Sequence, residues 1–577
     1  SGSASYSNSL NNLTQKGSNL SAVMVGLMRN TPTFDLANGS NDPVNDPSSY
    51  SYPDGTQRNY YSQYDNPYWS INKNKAKAEV DRIIGNTQAE YKLLPWLSAL
   101  YRIGIDYYGE KRNSFFDNNS SDTPNGYVTA STYLFTGINS DFILSAEKQL
   151  TDDLKLNVVA GHNYFTRETY NNSQRGDSLL LPNFYDLSNT AVTSGDDNKT
   201  QYKIAGAYYD IKLGYKGILY LNTTGRSDWS STLSKENNPF FYPSVSASFI
   251  FSEAFDIDRG KIFNYGKIRA SWAEVGNDAD PYSLRNYFAP IIGGINGQTV
   301  FATERTIGNA NLEPETTRSS ELGIDLRFFN NKIGLDLAVY QAKSIGQIVP
   351  VPVAYSTGYE FMIMNAGVIT NKGIEAQLFI TPVSQKGFEW DMMFNFTKNK
   401  NMVEDLPEGV PLLDFQTTGV SSTRSVGIEG QPYGVLYGSR FLRNENGDVL
   451  VGDNGYPLVD VTAGVIGDPN PDFMLGIRNT FTYKGIQLSF LFDIRQGGDV
   501  YNGTRNVMNS LGTSKETENR DEDYIFPGIN VNTGLPNTIA VKRDARYYSA
   551  QGGLAGLSEA AIEDGSYVRL RELSLSY

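Results

Sequence analysis

A membrane-spanning antiparallel β-barrel is the fold class this 577-residue sequence predicts, on three observations. Apolar residues recur at every second position in segment after segment. The connections between those segments fall into two classes, very short and very long. No run of about 18 apolar residues exists, so the chain has no transmembrane helix.

The alternation is regular. Ile333, Leu335, Leu337 and Val339 are separated by Gly334, Asp336 and Ala338. Ile486, Leu488, Phe490, Phe492 and Ile494 are separated by Gln487, Ser489, Leu491 and Asp493. The same pattern runs through 244–251, 322–328 and 390–397. Successive side chains of a strand point to opposite faces, so each segment has one apolar and one polar face. Leu335, Leu488, Phe490 and Phe249 are therefore expected to face lipid, and Asp325, Asp336, Asp391 and Asp493 to face inward. Helical spacing is not sustained anywhere.

About fifteen strands are predicted, at 91–117, 124–132, 134–149, 154–169, 199–215, 217–229, 240–254, 265–277, 315–330, 332–345, 371–383, 387–400, 430–443, 474–484 and 485–497. A further strand runs from Gly565 to Tyr577, and its alternation slips between Leu570 and Leu573, which predicts a bulge. Short turns are expected at Phe329–Lys332, Tyr483–Gly485, Tyr215–Gly217 and Gln385–Gly387. Long polar loops are expected at 21–90, 278–314, 346–370, 401–429, 444–472 and 498–564. Membrane barrels alternate in this way, with short periplasmic turns and long extracellular loops. A soluble sandwich has short connections at both ends.

Composition narrows the function classes. A net charge of -14 argues against nucleic acid as a partner, because phosphate binding needs a clustered basic surface. Aromatic residues make up 12%, chiefly 38 Tyr and 29 Phe, and many crowd strand ends, as in Phe240-Phe241-Tyr242. That placement fits the interfacial girdles of a membrane barrel. A mean hydropathy of -0.40 suggests a soluble protein only if the polar inner face of a barrel is overlooked. There are no cysteines, so disulfides and thiolate metal sites are excluded.

Chemical motifs are few. The only histidine, His162, lies on a predicted strand and is expected to face the lumen or the interface without doing chemistry. Asn444-Glu445-Asn446-Gly447-Asp448 faintly resembles a calcium loop, but Val449 and Gly455 stand where an EF-hand needs Gly and Glu, so a hairpin turn is the reading. No phosphate loop and no H-E-x-x-H is present. No catalytic residue, metal ligand or cofactor is assigned, and the protein is read as no enzyme. The substrate-binding residues are unknown at this stage.

Several segments resemble one family, the SusC/RagA-type TonB-dependent outer-membrane transporters. They are Asp65-Asn66-Pro67-Tyr68-Trp69-Ser70-Ile71-Asn72, Thr224-Gly225-Arg226-Ser227-Asp228-Trp229 with Phe240-Phe241-Tyr242-Pro243-Ser244, and Gly266–Ala273 with Val275–Asp278. Asn311-Leu312-Glu313-Pro314-Glu315-Thr316, Asn365-Ala366-Gly367, Gly467–Phe473 and Gly565–Arg571 follow in family order. As residues they read as strand punctuation, with Gly at turns, Pro before a strand, and Glu and Arg facing a lumen.

The resemblance implies an all-β barrel of about 22 strands, of which this chain holds some. It also implies a plug and N-terminal accessory domains, which are absent from residues 1–577, and final strands after Tyr577. The start, Ser1-Gly2-Ser3-Ala4, is read as carrying no signal peptide. An open sheet would leave two costly unpaired edges in lipid, so the chain is read as part of a longer barrel, incomplete at both ends. By the same resemblance, the function is import of oligosaccharides or oligopeptides through the outer membrane of a Gram-negative bacterium of the Bacteroides type. TonB energises it, and a SusD-like surface lipoprotein serves as lid. Two alternatives stand beside this reading: a siderophore or vitamin receptor without a lid, and a soluble glycan-binding β protein.

Overall fold

The computed structural model describes residues 1–577 apart from 15–17, 61–62, 256, 258–261, 297, 418–422 and 549–556. Parts of the expected loops 21–90, 278–314, 401–429 and 498–564 thus lie outside the described residues.

Pairing one alternating segment with the next extends the apolar and the polar face together. Repetition of that step builds a 17-stranded sheet. All but one of its members form an antiparallel meander in chain order. They are β1 (Gly2–Thr14), β2 (Lys75–Leu94), β3 (Leu97–Phe116), β4 (Tyr127–Thr151), β5 (Leu154–Leu179), β6 (Thr190–Tyr215), β7 (Leu219–Ser230) and β8 (Phe240–Phe249). The meander continues through β9 (Phe263–Asn277), β10 (Glu315–Phe328), β11 (Ile333–Pro352), β12 (Phe361–Gln385), β13 (Phe388–Asp405), β14 (Phe473–Tyr483), β15 (Ile486–Gln496) and β16 (Tyr567–Ser576). The remaining member, Thr306–Ile307, pairs in parallel with the start of β12. Among the described residues β1 pairs only with β2, and β16 only with β15.

Register shows how consistent the two faces are. Leu326, Leu335 and Leu378 stand opposite one another across β10–β12, as do Asp325, Asp336 and Gln377. On β13–β15 the row Phe394, Ile477, Phe492 carries the apolar face, and Asn395, Gly476, Asp493 the polar one. The polar face holds ion pairs along the sheet: Arg82–Asp106, Arg102–Asp141, Arg226–Asp228, Arg269–Asp336 and Arg571–Asp493. Charges at the bilayer centre are costly. The ion-paired face is therefore the lumen and the Leu/Phe face meets lipid, as the alternation predicts. The expected bulge is present: Leu491 pairs with Glu572 and Phe492 with Leu570, leaving Arg571 extra. Its guanidinium donates to Asp493 at 2.6 Å.

Turn chemistry sets the short ends. Lys386–Gly387 and Lys484–Gly485 combine φ of 44° and 83°, and of 48° and 89°. Two consecutive positive φ values are what a type I′ hairpin requires, with Gly at the second place. The four longest connections, 15–74, 278–314, 406–472 and 497–566, lie at the opposite end of the strands. Because the chain has no cysteine, single Cys substitutions test this polarity. Asn446→Cys is expected to react with a membrane-impermeant maleimide on intact cells, and Lys386→Cys only after the outer membrane is breached. Labelling of Lys386→Cys on intact cells would invert the topology.

The structure corrects several strand assignments. The predicted 91–117 segment is two strands, because Pro95 and Trp96 form the turn between β2 and β3. Segments 124–132 and 134–149 are one strand, β4, of 25 residues. Its run Ser131-Thr132-Tyr133 lacks apolar alternation yet pairs without a break to β3 and β5. β4, β5 and β6 have 25–26 residues, far more than the roughly 9–11 that cross a bilayer. Segment 430–443 contributes only Val435–Gly438, in a separate four-stranded sheet. The expected loop 346–370 is mostly strand, with Val353–Glu360 as its connection.

Candidate functional site

The loop end of the barrel is a packed rim, built by polar side chains that reach from one loop to another. In the loop before β2, Asn66 caps the helix Pro67–Lys73 by accepting the Tyr68 N–H at 2.9 Å, and Pro67 occupies the first helical position. The Asn66 amide also donates to the carbonyls of Leu36, Ser49 and Arg58. Beside it Asp65, only 1% exposed, accepts four hydrogen bonds. They come from Gln57 Nε2 at 2.9 Å, Asn74 Nδ2 at 2.9 Å, Ser120 Oγ at 2.5 Å and the Ser121 N–H at 2.6 Å. Two of those donors belong to the loop between β3 and β4, so one buried carboxylate ties two loops together. Gly26 is needed here, because a Cβ would lie 2.2 Å from the Asp65 carbonyl oxygen.

Other anchors follow the same plan. Asp278 accepts from Tyr202 Oη at 2.9 Å, from Thr232 Oγ1 at 3.1 Å and from Ser230 Oγ. Glu315 accepts the Ile348 N–H at 2.6 Å and Asn277 Nδ2 at 3.0 Å. Asn365 brackets Glu313, accepting its N–H at 2.9 Å and donating to its carbonyl at 2.7 Å. Leu312 is fully buried against Leu233 and Ala279. Asn470 accepts from Asn401 Nδ2 at 2.7 Å and donates to the Tyr433 carbonyl at 3.1 Å. These residues come from the motifs read as strand punctuation. The structure gives those motifs a further role: they pin loops to strand ends.

The two longest excursions, between β13 and β14 and between β15 and β16, share a core. Val451, with no exposed surface, packs against Phe526 and Val541, and Leu450–Val451 pairs in parallel with Ile529–Asn530. Arg443 binds Glu559 at 2.5 Å. Within this body a cavity of about 350 Å³ is lined by Arg505, Asn509, Glu516, Arg543, Tyr547 and Tyr548. Burial holds the phenols of Tyr547 and Tyr548 above the ordinary tyrosine range, so both stay protonated. None of these residues belongs to a motif visible in the sequence. They come together only because the helix Gly503–Leu511, the turn Lys515–Asn519 and the segment Ala545–Tyr548 fold onto one another.

Two expected positions are settled by register and turn geometry. His162 stands opposite Phe142 and Ala207, on the outward row with Val158 and Tyr164 and not on the lumen face. Its even position on β5 dictates this. Asn444–Asp448 is a turn, in which Asn444 Oδ1 accepts the N–H groups of Asn446 and Asp448.

A wall with a lipid-facing apolar band, an ion-paired lumen and a packed rim of loops at one end defines an outer-membrane β-barrel. The family model described as TonB dependent receptor-like, beta-barrel matches residues 24–480, and the chain belongs to that family. It is 25% identical to TonB-dependent receptor SusC of Bacteroides thetaiotaomicron over 95% of this chain and 55% of SusC. TonB-dependent receptor P3 of Formosa agariphila is 28% identical over 73% of this chain and 42% of that protein. TonB-dependent receptor P26 of the same organism is 25% identical over 89% of this chain and 54% of that protein. The chain therefore spans about half the length of these relatives. Among solved structures, a chain of the RagAB peptide importer in its closed-closed state superposes with a TM-score of 0.70 at 16% identity, covering 91% of this chain and 59% of that one.

Proposed function

We propose that residues 1–577 form much of the wall and loop rim of an active importer for oligosaccharides or oligopeptides. TonB drives it, and a SusD-like surface lipoprotein closes its mouth. The observation that carries this reading is the rim itself. Loops that only fill solvent have no need of buried carboxylates and shared cores, whereas loops that hold a substrate and a partner must be preorganised. The likeness to SusC and to the RagAB fold supports the glycan or peptide class, and the plug is assigned to sequence outside this stretch. On this reading the protein has no catalytic role.

Cells carrying the full-length protein are expected to take up a labelled oligosaccharide or oligopeptide, to lose that uptake when tonB is deleted, and to yield a co-purifying surface lipoprotein. Replacing the rim segment 513–545 with a short Gly/Ser linker should weaken uptake or lipoprotein association while the barrel stays heat-modifiable on gels. Unchanged uptake in the tonB deletion sinks the transport reading. Uptake of ferric siderophores alone would favour the receptor class without a lid.

A further inference from the structure

We infer that the outward face of the barrel carries, at the extracellular edge of the bilayer, a binding site for a lipid whose headgroup bears a phosphate monoester. The inference goes beyond import and does not depend on it. β7 has 12 residues, close to the roughly 9–11 that cross a bilayer. Tyr215 pairs with Leu219 at its turn end, and Trp229 stands at its loop end. Both rings lie on the outward row and both are exposed, so they mark the two interfaces, where aromatic rings gather. At the extracellular one, register sets Tyr164, Ala205 and Trp229 side by side on β5, β6 and β7. The small Ala205 leaves a slot between two rings that are 38% and 45% exposed. Ala207 continues the floor of that slot one row toward mid-bilayer.

On its extracellular side the slot opens onto two lysines. β7 stops pairing at Ser230, opposite Ile204, while β6 runs on and the chain turns away through 231–239. The recess so formed, about 360 Å³, is lined by Tyr164, Lys203, Ala205, Trp229, Ser231 and Lys235. Ser231 fixes the backbone of Lys203: its N–H donates to the Lys203 carbonyl at 2.9 Å, and its Oγ accepts the Lys203 N–H at 2.9 Å. Both lysines are exposed, and among the described residues neither is ion-paired. Glu168, the acidic group beside them on β5, is held by Lys199 at 2.8 Å and by Gln201 at 2.6 Å. Glu236 lines a neighbouring recess with Arg285. Two unpaired ammonium groups thus stand at the bilayer edge of a protein whose net charge is -14. Lysine binds phosphate as a point charge, and its apolar stem can lie along the rings while its head stays in water. A zwitterionic headgroup would bring a further cation beside the two lysines. A free phosphate would leave the rings and the alanine floor uncovered, whereas an acyl chain covers both.

The test is tryptophan quenching in bilayers. The full-length protein is reconstituted into phosphatidylcholine vesicles that contain, as a minor component, phosphatidic acid or phosphatidylcholine with brominated acyl chains. Bromine quenches the rings it touches, and the difference from Trp229→Phe isolates the emission of Trp229. Phosphatidic acid is expected to quench Trp229 at about tenfold lower mole fraction than phosphatidylcholine, the effect of two lysines near an anionic headgroup. Replacing both lysines with glutamine, Lys203→Gln and Lys235→Gln, is expected to make the two lipids quench alike, and replacing both with arginine to restore the preference. The lysines are exposed, so both double variants should stay heat-modifiable on gels. Excess inorganic phosphate is expected to leave the preference in place. Equal quenching of the unaltered protein by the two lipids, a preference that survives the glutamine pair, or its loss to inorganic phosphate overturns the proposal, the last by assigning the site to the free anion. None of these outcomes bears on whether uptake requires TonB, so the two readings fail separately.

Discussion

Phe394→Arg is expected to destabilise the wall by about 2–4 kcal/mol, the cost of placing a guanidinium on the lipid face near mid-bilayer. Phe394 lies mid-strand in β13, between Leu378 and Ile477 on the apolar row. Its neighbour Asn395 points to the lumen opposite Gly476, where no side chain competes for space. Asn395→Arg is therefore expected to cost about 1 kcal/mol or less, mainly the hydrogen bond it accepts from Gln377 at 2.9 Å. Leu488 and Ser489 would discriminate the two faces less well. Leu488 is close to the Lys484–Gly485 turn, and Ser489 is buried beneath Arg478, which donates to it. Urea titration of refolded barrels in lipid vesicles reads the difference. Similar costs for the two substitutions would remove the assignment of faces.

Asp65→Ala is expected to release the loop before β2 from the loop before β4. The substitution leaves Gln57, Asn74, Ser120 and the Ser121 amide without their acceptor in a buried site. Hydrogen bonds to a charged group contribute about 1.5–3 kcal/mol each, and stranded buried donors add to the loss. The local cost should therefore be about 3 kcal/mol or more. The wall does not contain Asp65, so the barrel should remain intact. Hydrogen exchange should show faster exchange in residues 18–74 and 117–126 and unchanged protection in β4–β6. Exchange rates unchanged in both loops would mean that Asp65 does not hold them.

Wall strands and hairpin turns were legible in the sequence where local chemistry alone sets them. Period-two alternation in β10, β11 and β15 states both the strand and its two faces, because side-chain direction follows from backbone geometry within the strand. Lys386–Gly387 and Lys484–Gly485 state their turns, because positive φ is a local demand that Gly meets. The family motifs were also legible, but their tasks were not. Nothing near Asp65 in the sequence shows that its donors stand as far along as Ser120 and Ser121.

The errors have physical causes too. Lys75–Leu94 and Gly2–Thr14 have little apolar alternation, and they are strands because each pairs residue by residue with its neighbour. The run Val349-Pro350-Val351-Pro352 reads as a loop because proline cannot donate to a ladder. It is strand in β11 because β10 ends its pairing at Ile345, which leaves that edge of β11 free of ladder bonds while β12 pairs on the other side. Segment 430–443 alternates well enough to be a wall strand, yet Val426 and Val435 are buried in the small sheet of the rim instead. Alternation reports that a strand has two unlike faces and is silent about which sheet it joins.

By itself, the sequence determined the class of fold, the two faces of most wall strands and the alternation of short turns with long loops. All of these are consequences of local backbone geometry and of side-chain hydration repeated along the chain. Only the tertiary structure decided that the loops form a packed rim, that Asp65, Asp278 and Glu315 are its anchors, and that Arg505, Asn509 and Arg543 line one cavity. Those facts rest on contacts between residues far apart in the chain, and the hydrogen bonds that make them carry no periodic signature for a sequence to display.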